Sequence, residues 1–187
     1  MRSLKESIFD NVEDIVNNDT TLIEQFLKDN YDIVGTYKIE GDVVDVKGYV
    51  KVKNREIESL TNGTFRFGTI TKSFDCTNCP KLKSLKGSPK EVGMAFLCTD
   101  CIKLTSLEGG PKEVEGNFDC NNCLKLVSLK GAPEKVGGDF DCTWCKNLTS
   151  LEGAPDKVGK YFYCGNCRKL TITDQDRKKY FPNLITK

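Results

Sequence analysis

Ten cysteines are the residues of this sequence best placed to do chemistry, and they come as five Cys-x-x-Cys pairs in register. The first members are Cys76, Cys98, Cys120, Cys142 and Cys164; Cys79, Cys101, Cys123, Cys145 and Cys167 follow three residues later, and the pairs recur every 22 residues. Three kinds of chemistry suit such pairs. Two neighbouring pairs, spaced Cys-x2-Cys-x18-Cys-x2-Cys, fall in the window of a four-thiolate zinc site. A lone pair can do redox work. Reduced and buried, the same thiols behave as small apolar side chains. Zinc is disfavoured because Pro80, Ile102, Leu124, Lys146 and Arg168 follow the second cysteines, where a metal knuckle favours glycine. Five pairs also cannot be divided into four-cysteine sites without leaving one over. The leading expectation is therefore free, structural cysteines with no metal and no cofactor; a zinc-binding structural or nucleic-acid-associated protein is the alternative.

The elements that must position these thiols are written around them. From Phe74 to Thr173 one phrase repeats: Phe-x-Cys-x-x-Cys-x-x-Leu-x-Ser-Leu-x-Gly-x-Pro-x-x-Val. Phe74, Phe96, Phe118, Phe140 and Phe162 keep the period, as do Leu82, Leu104, Leu126, Leu148 and Leu170. A fixed period of 22 residues marks a solenoid, in which each turn buries its apolar side only by stacking on the next. Phe-x-Cys puts two apolar side chains on one face of a short strand. Gly-x-Pro, at Gly87 and Pro89 and their equivalents, suits a turn that needs a positive φ followed by a fixed one. Ser84, Ser106, Ser128 and Ser150 are placed to bond backbone groups in that bend. The rest of the arc has room for turns or short 3₁₀ pieces, not a long helix.

That order of residues is similar to the leucine-rich repeat, with Phe and Cys in place of the strand leucines and the second cysteine at the Asn/Cys ladder position. The expected fold is a mainly β solenoid, leucine-rich-repeat-like, with parallel short strands, a helical N-terminal cap and a short C-terminal cap. Residues 1–31 read as the cap, in two short helices. The first carries Leu4, Ile8, Val12, Ile15 and Val16, with Ser3 and Glu6 as a capping box. The second opens at Thr21 and Glu24 and presents Leu22, Ile23, Phe26 and Leu27. Residues 32–73 read as a β lead-in, with Glu40-Gly41-Asp42 as a turn and Gly48 before a degenerate first rung that lacks cysteines. Residues 74–173 are the five repeats. Residues 174–187 close the array, with Asp174 capping a helix stopped by Pro182, and Tyr180, Phe181 and Leu184 covering the last rung.

On such a frame the residues beside the buried Phe and Cys project from the concave face, where leucine-rich repeats bind partners. One column is Asp75, Leu97, Asp119, Asp141 and Tyr163; its neighbour is Ser73, Ala95, Asn117, Asp139 and Tyr161. Asp119, Asp139 and Asp141 form an acidic group beside Tyr161 and Tyr163, with Trp144 at the rim. These six are the candidate partner-binding residues: tyrosine and tryptophan are common hot-spot anchors, and an acidic surface suits a basic patch on a protein while repelling nucleic acid. The plainer reading is that the acids only keep the strands soluble.

Catalysis is not expected. The chain has no histidine and no GxxxxGK loop, and three acids on an open sheet enclose no site. With 28 basic and 27 acidic side chains the formal charge is +1, so nothing draws the whole molecule to nucleic acid or an acidic membrane. The opening MRSLKESIFDNVEDIV carries acids where a signal peptide is apolar, and no run of 18 apolar residues occurs; the expected setting is the cytoplasm of the producing or host cell, where thiols stay reduced.

Strings such as NFDCNNCLKLVSLKGAPEKVGGDFDC, with the lead-in GYVKVKNREIESL, resemble the short cysteine-bearing leucine-rich-repeat proteins of tailed bacteriophages and giant viruses. That resemblance implies a small intracellular binding protein, one that engages a host factor or an antiviral-defence component.

Overall fold

The computed structural model describes residues 19–180 and 182–186. The first expected helix, with its Ser3–Glu6 box, and Phe181 lie outside the described residues. Helix α1 runs over 19–30, so Thr21 sits inside it and does not open it. It buries Ile23 and Leu27 in the core and sets the Phe26 ring edge-on against Phe65, while Leu22 stays exposed.

A hairpin follows, β1 (Tyr31–Glu40) antiparallel to β2 (Val43–Val52), turned at Gly41-Asp42. β2 is the cysteine-free first rung, and it is longer than any later one because it serves two ladders. Its first half pairs in parallel with β3 (Arg66–Ile70), and its second half, Val50 and Lys51, with β4 (Phe74–Asp75). The corner between the halves falls at Gly48, opposite Gly35 of β1. A Cβ on Gly48 would lie 2.0 Å from the Val34 carbonyl oxygen, so the hairpin can cross here only as glycine.

Both ladders then grow by one two-residue strand per repeat. In chain order these are β5 (Glu91–Val92), β6 (Phe96–Leu97), β7 (Glu113–Val114), β8 (Phe118–Asp119), β9 (Lys135–Val136), β10 (Phe140–Asp141), β11 (Lys157–Val158) and β12 (Phe162–Tyr163). All are parallel and paired residue for residue, and the sheet order is β11-β9-β7-β5-β3-β2-β4-β6-β8-β10-β12 and then β13 (Leu184–Ile185). The phenylalanine ladder is the one the phrase predicts. The valine ladder is not: the arc expected to hold turns or short 3₁₀ pieces contains a second strand, because the residues after each Gly-x-Pro stack on their equivalents one turn away.

The core is the solenoid interior. Every Phe of the phrase, all ten cysteines, and the paired leucines from Leu82 to Leu151 are buried. Phe74, Phe96, Phe118 and Phe140 stack nearly flat, with centroids 5.2–5.4 Å apart and planes within 8°. Tilted rings close the stack at both ends. Tyr31 packs edge-on against Phe67 and donates its hydroxyl to the Leu60 carbonyl at 2.6 Å; Tyr180 packs on Phe162 and donates to the Pro155 carbonyl at 2.9 Å. Buried phenols need such partners. Tyr180 belongs to α2 (Asp174–Tyr180), whose N-cap is Thr173 and not Asp174: the Thr173 hydroxyl accepts from the Asp176 amide, and the Asp176 carboxylate accepts from the Thr173 amide. Beyond it β13 adds a final strand to the phenylalanine ladder, which covers the last rung through backbone pairing as well as through Leu184. Among the described residues no helix is long and apolar enough to cross a membrane.

Candidate partner-binding face

Each repeat turns its corner through the Cys-x-x-Cys loop, and the second x always has left-handed backbone. Asn78, Asp100, Asn122 and Asn166 have φ between 54° and 60°, and Trp144 has 62°. Asn and Asp tolerate this region; a bulky aromatic does not. The loops extend the strand ladder, since the amides of Asn78, Asp100, Asn122 and Trp144 each donate to a carbonyl one turn on, Trp144 to Gly165 at 2.9 Å. Four of the five repeats thus use residues suited to the bend, and the fourth places a tryptophan there, 47% exposed.

The thiols line the inside of these loops. Cys101, Cys123, Cys145 and Cys167 each donate S–H to the carbonyl of the first cysteine of the preceding repeat, at 3.1–3.3 Å. All ten are free and buried. Cys79 is pushed up to about 11 and Cys164 to about 12, chiefly by burial. Burial also drives Cys120 and Cys142 well above the ordinary thiol range; for Cys76 and Cys98 the sulfur partners Cys101 and Cys123 lead, with burial behind them. Cys101 and Cys167 shift the other way, lowered by their contacts with the Cys76 and Cys142 sulfurs; the raised thiols, held protonated, are poor nucleophiles and poor ligands. Among the described residues no group of three or more Cys, Asp or Glu side chains is arranged to hold a metal ion.

The aspartates beside the phenylalanines hold the loops as well as facing outward. Asp75, Asp119 and Asp141 each accept, through one carboxylate oxygen, the amide two residues on, at 2.8–2.9 Å. The neighbouring column bonds along the solenoid axis: the Asn117 side chain accepts the Asp139 amide at 2.9 Å, and Asp139 accepts the Tyr161 amide at 3.0 Å. Asp75 is nearly buried, with the Tyr49 hydroxyl at 3.1 Å and Lys51 at 3.8 Å. It is therefore spent on structure, whereas Asp119, Asp139 and Asp141 stay partly exposed, the second Asp119 oxygen having the Asn121 side-chain amide at 3.5 Å.

Asp119, Asp139, Asp141 and Tyr163 line one shallow depression of about 150 Å³, completed by Ala95, Leu97, Asn117 and Phe118. Leu97, where the other repeats carry an acid or tyrosine, leaves it an apolar end. Tyr161 adjoins it, its ring 5.8 Å from that of Tyr163. Trp144 does not line it; it stands in the loop row, three residues along the chain from Asp141. Burial, with the charge of Asp141 adding to it, raises the Asp119 carboxyl above its usual range, and the Tyr163 phenol is raised by partial burial and by Asp139.

Sequence reasoning missed the loop-bonding role of the aspartates and the backbone conformation of Trp144. The signal for the second was present: the residue before each second cysteine is Asn, Asp, Asn, Trp, Asn, a turn-former column with one intruder. A scan against protein-family models and searches of curated proteins and of solved structures found no match.

Proposed function

We propose that this chain is a non-enzymatic binding module that takes a protein partner, through a basic patch, on the C-terminal half of the face above the phenylalanine ladder. Asp119, Asp139 and Asp141 supply the charge, Tyr161 and Tyr163 the contact area, and Trp144 an anchor beside them. The observation that carries this reading is Trp144. It sits exposed in a backbone conformation that disfavours it, where the other repeats use residues that stabilise the bend, and local strain of this kind is kept where function requires it. The resemblance to phage-encoded repeat proteins points to a host protein or an antiviral-defence component, met in the cytoplasm, as the partner.

The test is capture from host lysate with three forms: the natural chain, Asp141→Lys with Tyr163→Ala, and Trp144→Asn. A specific protein retained by the first and lost by both variants supports the reading. Equal retention by all three overturns it.

A further inference from the structure

The valine ladder carries a charge pattern of its own. Its outward strand column is Glu91, Glu113, Lys135 and Lys157, paired in register along β5, β7, β9 and β11. The residues at the corner leading into those strands, Lys90, Lys112, Glu134 and Asp156, show the opposite order, and they too are stacked, each amide bonding the carbonyl one turn back at 2.8–2.9 Å. All eight are exposed. Each column thus holds two like charges, then two of the other sign. Like charges on directly opposed strand residues repel, so an alternating order would suit an isolated chain better. Only at the sign change do opposite charges meet within the strand column, Lys135 to Glu113 at 3.9 Å.

Two shallow depressions occupy the two ends of this ladder. One, of about 250 Å³, is lined by Glu91, Glu113 and Glu115; the other, of about 440 Å³, by Lys135, Lys157 and Lys179 together with Asp156, which pairs with Lys179 at 3.0 Å and leaves the depression net basic. We infer that the valine ladder is a docking face for a second copy of this chain, turned end for end so that the acidic depression of each copy lies on the basic depression of the other. In that arrangement Glu91 faces Lys157 and Glu113 faces Lys135, twice over by the two-fold axis, and the corner columns match by the same operation. Setting strand column on strand column without the reversal would oppose like charges on every rung. The contact is self-complementary and isologous, as a closed dimer requires. Spanning four short rungs, it is a small interface whose strength is electrostatic, so association is weak and salt-sensitive.

Sedimentation velocity of the full chain, run across concentration at about 20 mM and about 500 mM salt, reads this directly. A mass rising toward the dimer at low salt, with association weakened at least about tenfold at high salt, is the expected result. Lys135→Glu with Lys157→Glu is expected to be monomeric, as is Glu91→Lys with Glu113→Lys, while an equimolar mixture of the two re-forms dimer. Lys103→Glu with Lys125→Glu, on the far side of the turn, has the same net charge as the first variant; it is expected to dimerise like the natural chain and not to rescue the second. Circular dichroism confirms that each variant folds. A natural chain that stays monomeric at low salt up to about 500 μM, charge variants that associate like it, or a mixture that fails to associate would overturn the inference.

Discussion

At the level of single residues, the thiols and the left-handed loop positions make opposite predictions about stability. Cys79, Cys120, Cys142 and Cys164 are held protonated chiefly by burial, and Cys76 and Cys98 by their sulfur partners and burial together, whereas sulfur contacts lower Cys101 and Cys167. For the raised thiols the folded chain binds the proton more tightly than the unfolded one, whose cysteines ionise near pH ~8.5. The stabilisation is full below that pH and is lost as pH climbs toward the folded values near 11 and 12 for Cys79 and Cys164. Urea titrations at stepped pH are therefore expected to show stability falling steadily above about pH 8.5, by up to about 1.4 kcal/mol per pH unit for each such thiol, and a Cys164→Ala variant to show a shallower decline. In the loops the sign reverses. Trp144→Asn returns the commonest residue of that position to a φ of 62° and is expected to raise stability by about 0.5–1 kcal/mol, while removing the anchor of the proposed contact. A gain in folding free energy together with a loss of capture separates a binding role from a structural one.

At the level of the element, the unit is one turn of chain, and its weight rests on the ring that spans it. Phe118 lies between Phe96 and Phe140 at 5.2 and 5.3 Å, fully inside the solenoid. Phe118→Ala is expected to destabilise by about 3–5 kcal/mol in equilibrium denaturation, because rungs above and below cannot collapse into the space without breaking register. Gly131 gives a second check. Its φ is 87°, and a Cβ there would stand 2.4 Å from the Glu108 amide nitrogen, so Gly131→Ala strains both the turn and the stack. These features were legible in the sequence because each couples a chemical type to a fixed phase: Phe, both cysteines, both leucines and the turn glycine recur at one spacing. The valine ladder was not, because its strands are two residues long with one apolar member, too short for alternation to register. The site was legible in part. The column arithmetic brought Asp119, Asp139, Asp141 and Tyr163 to one depression, but the amide bonds that occupy half of each carboxylate depend on the loop's backbone path, which spacing does not encode.

At the level of the molecule, the two ends differ from the repeats and from each other, yet they finish the ring stack in the same way, with a tyrosine whose hydroxyl reaches a backbone carbonyl. The repeats from Phe74 to Phe140 meet their neighbours through the same stacked rings, so stability grows with their number. Inserting one further copy of residues 96–117 before Phe118 is expected to leave the fold intact and to raise the denaturation midpoint, measured side by side with the natural chain; a lower midpoint would show that the ends sense how many turns separate them. Because the tyrosine plugs touch only the outermost rungs, the number of rungs between them is free to change by whole units. A lineage can then lengthen or shorten the chain by recombination between near-identical coding segments, moving an aromatic pair or a run of acids to a new height without redesigning either terminus.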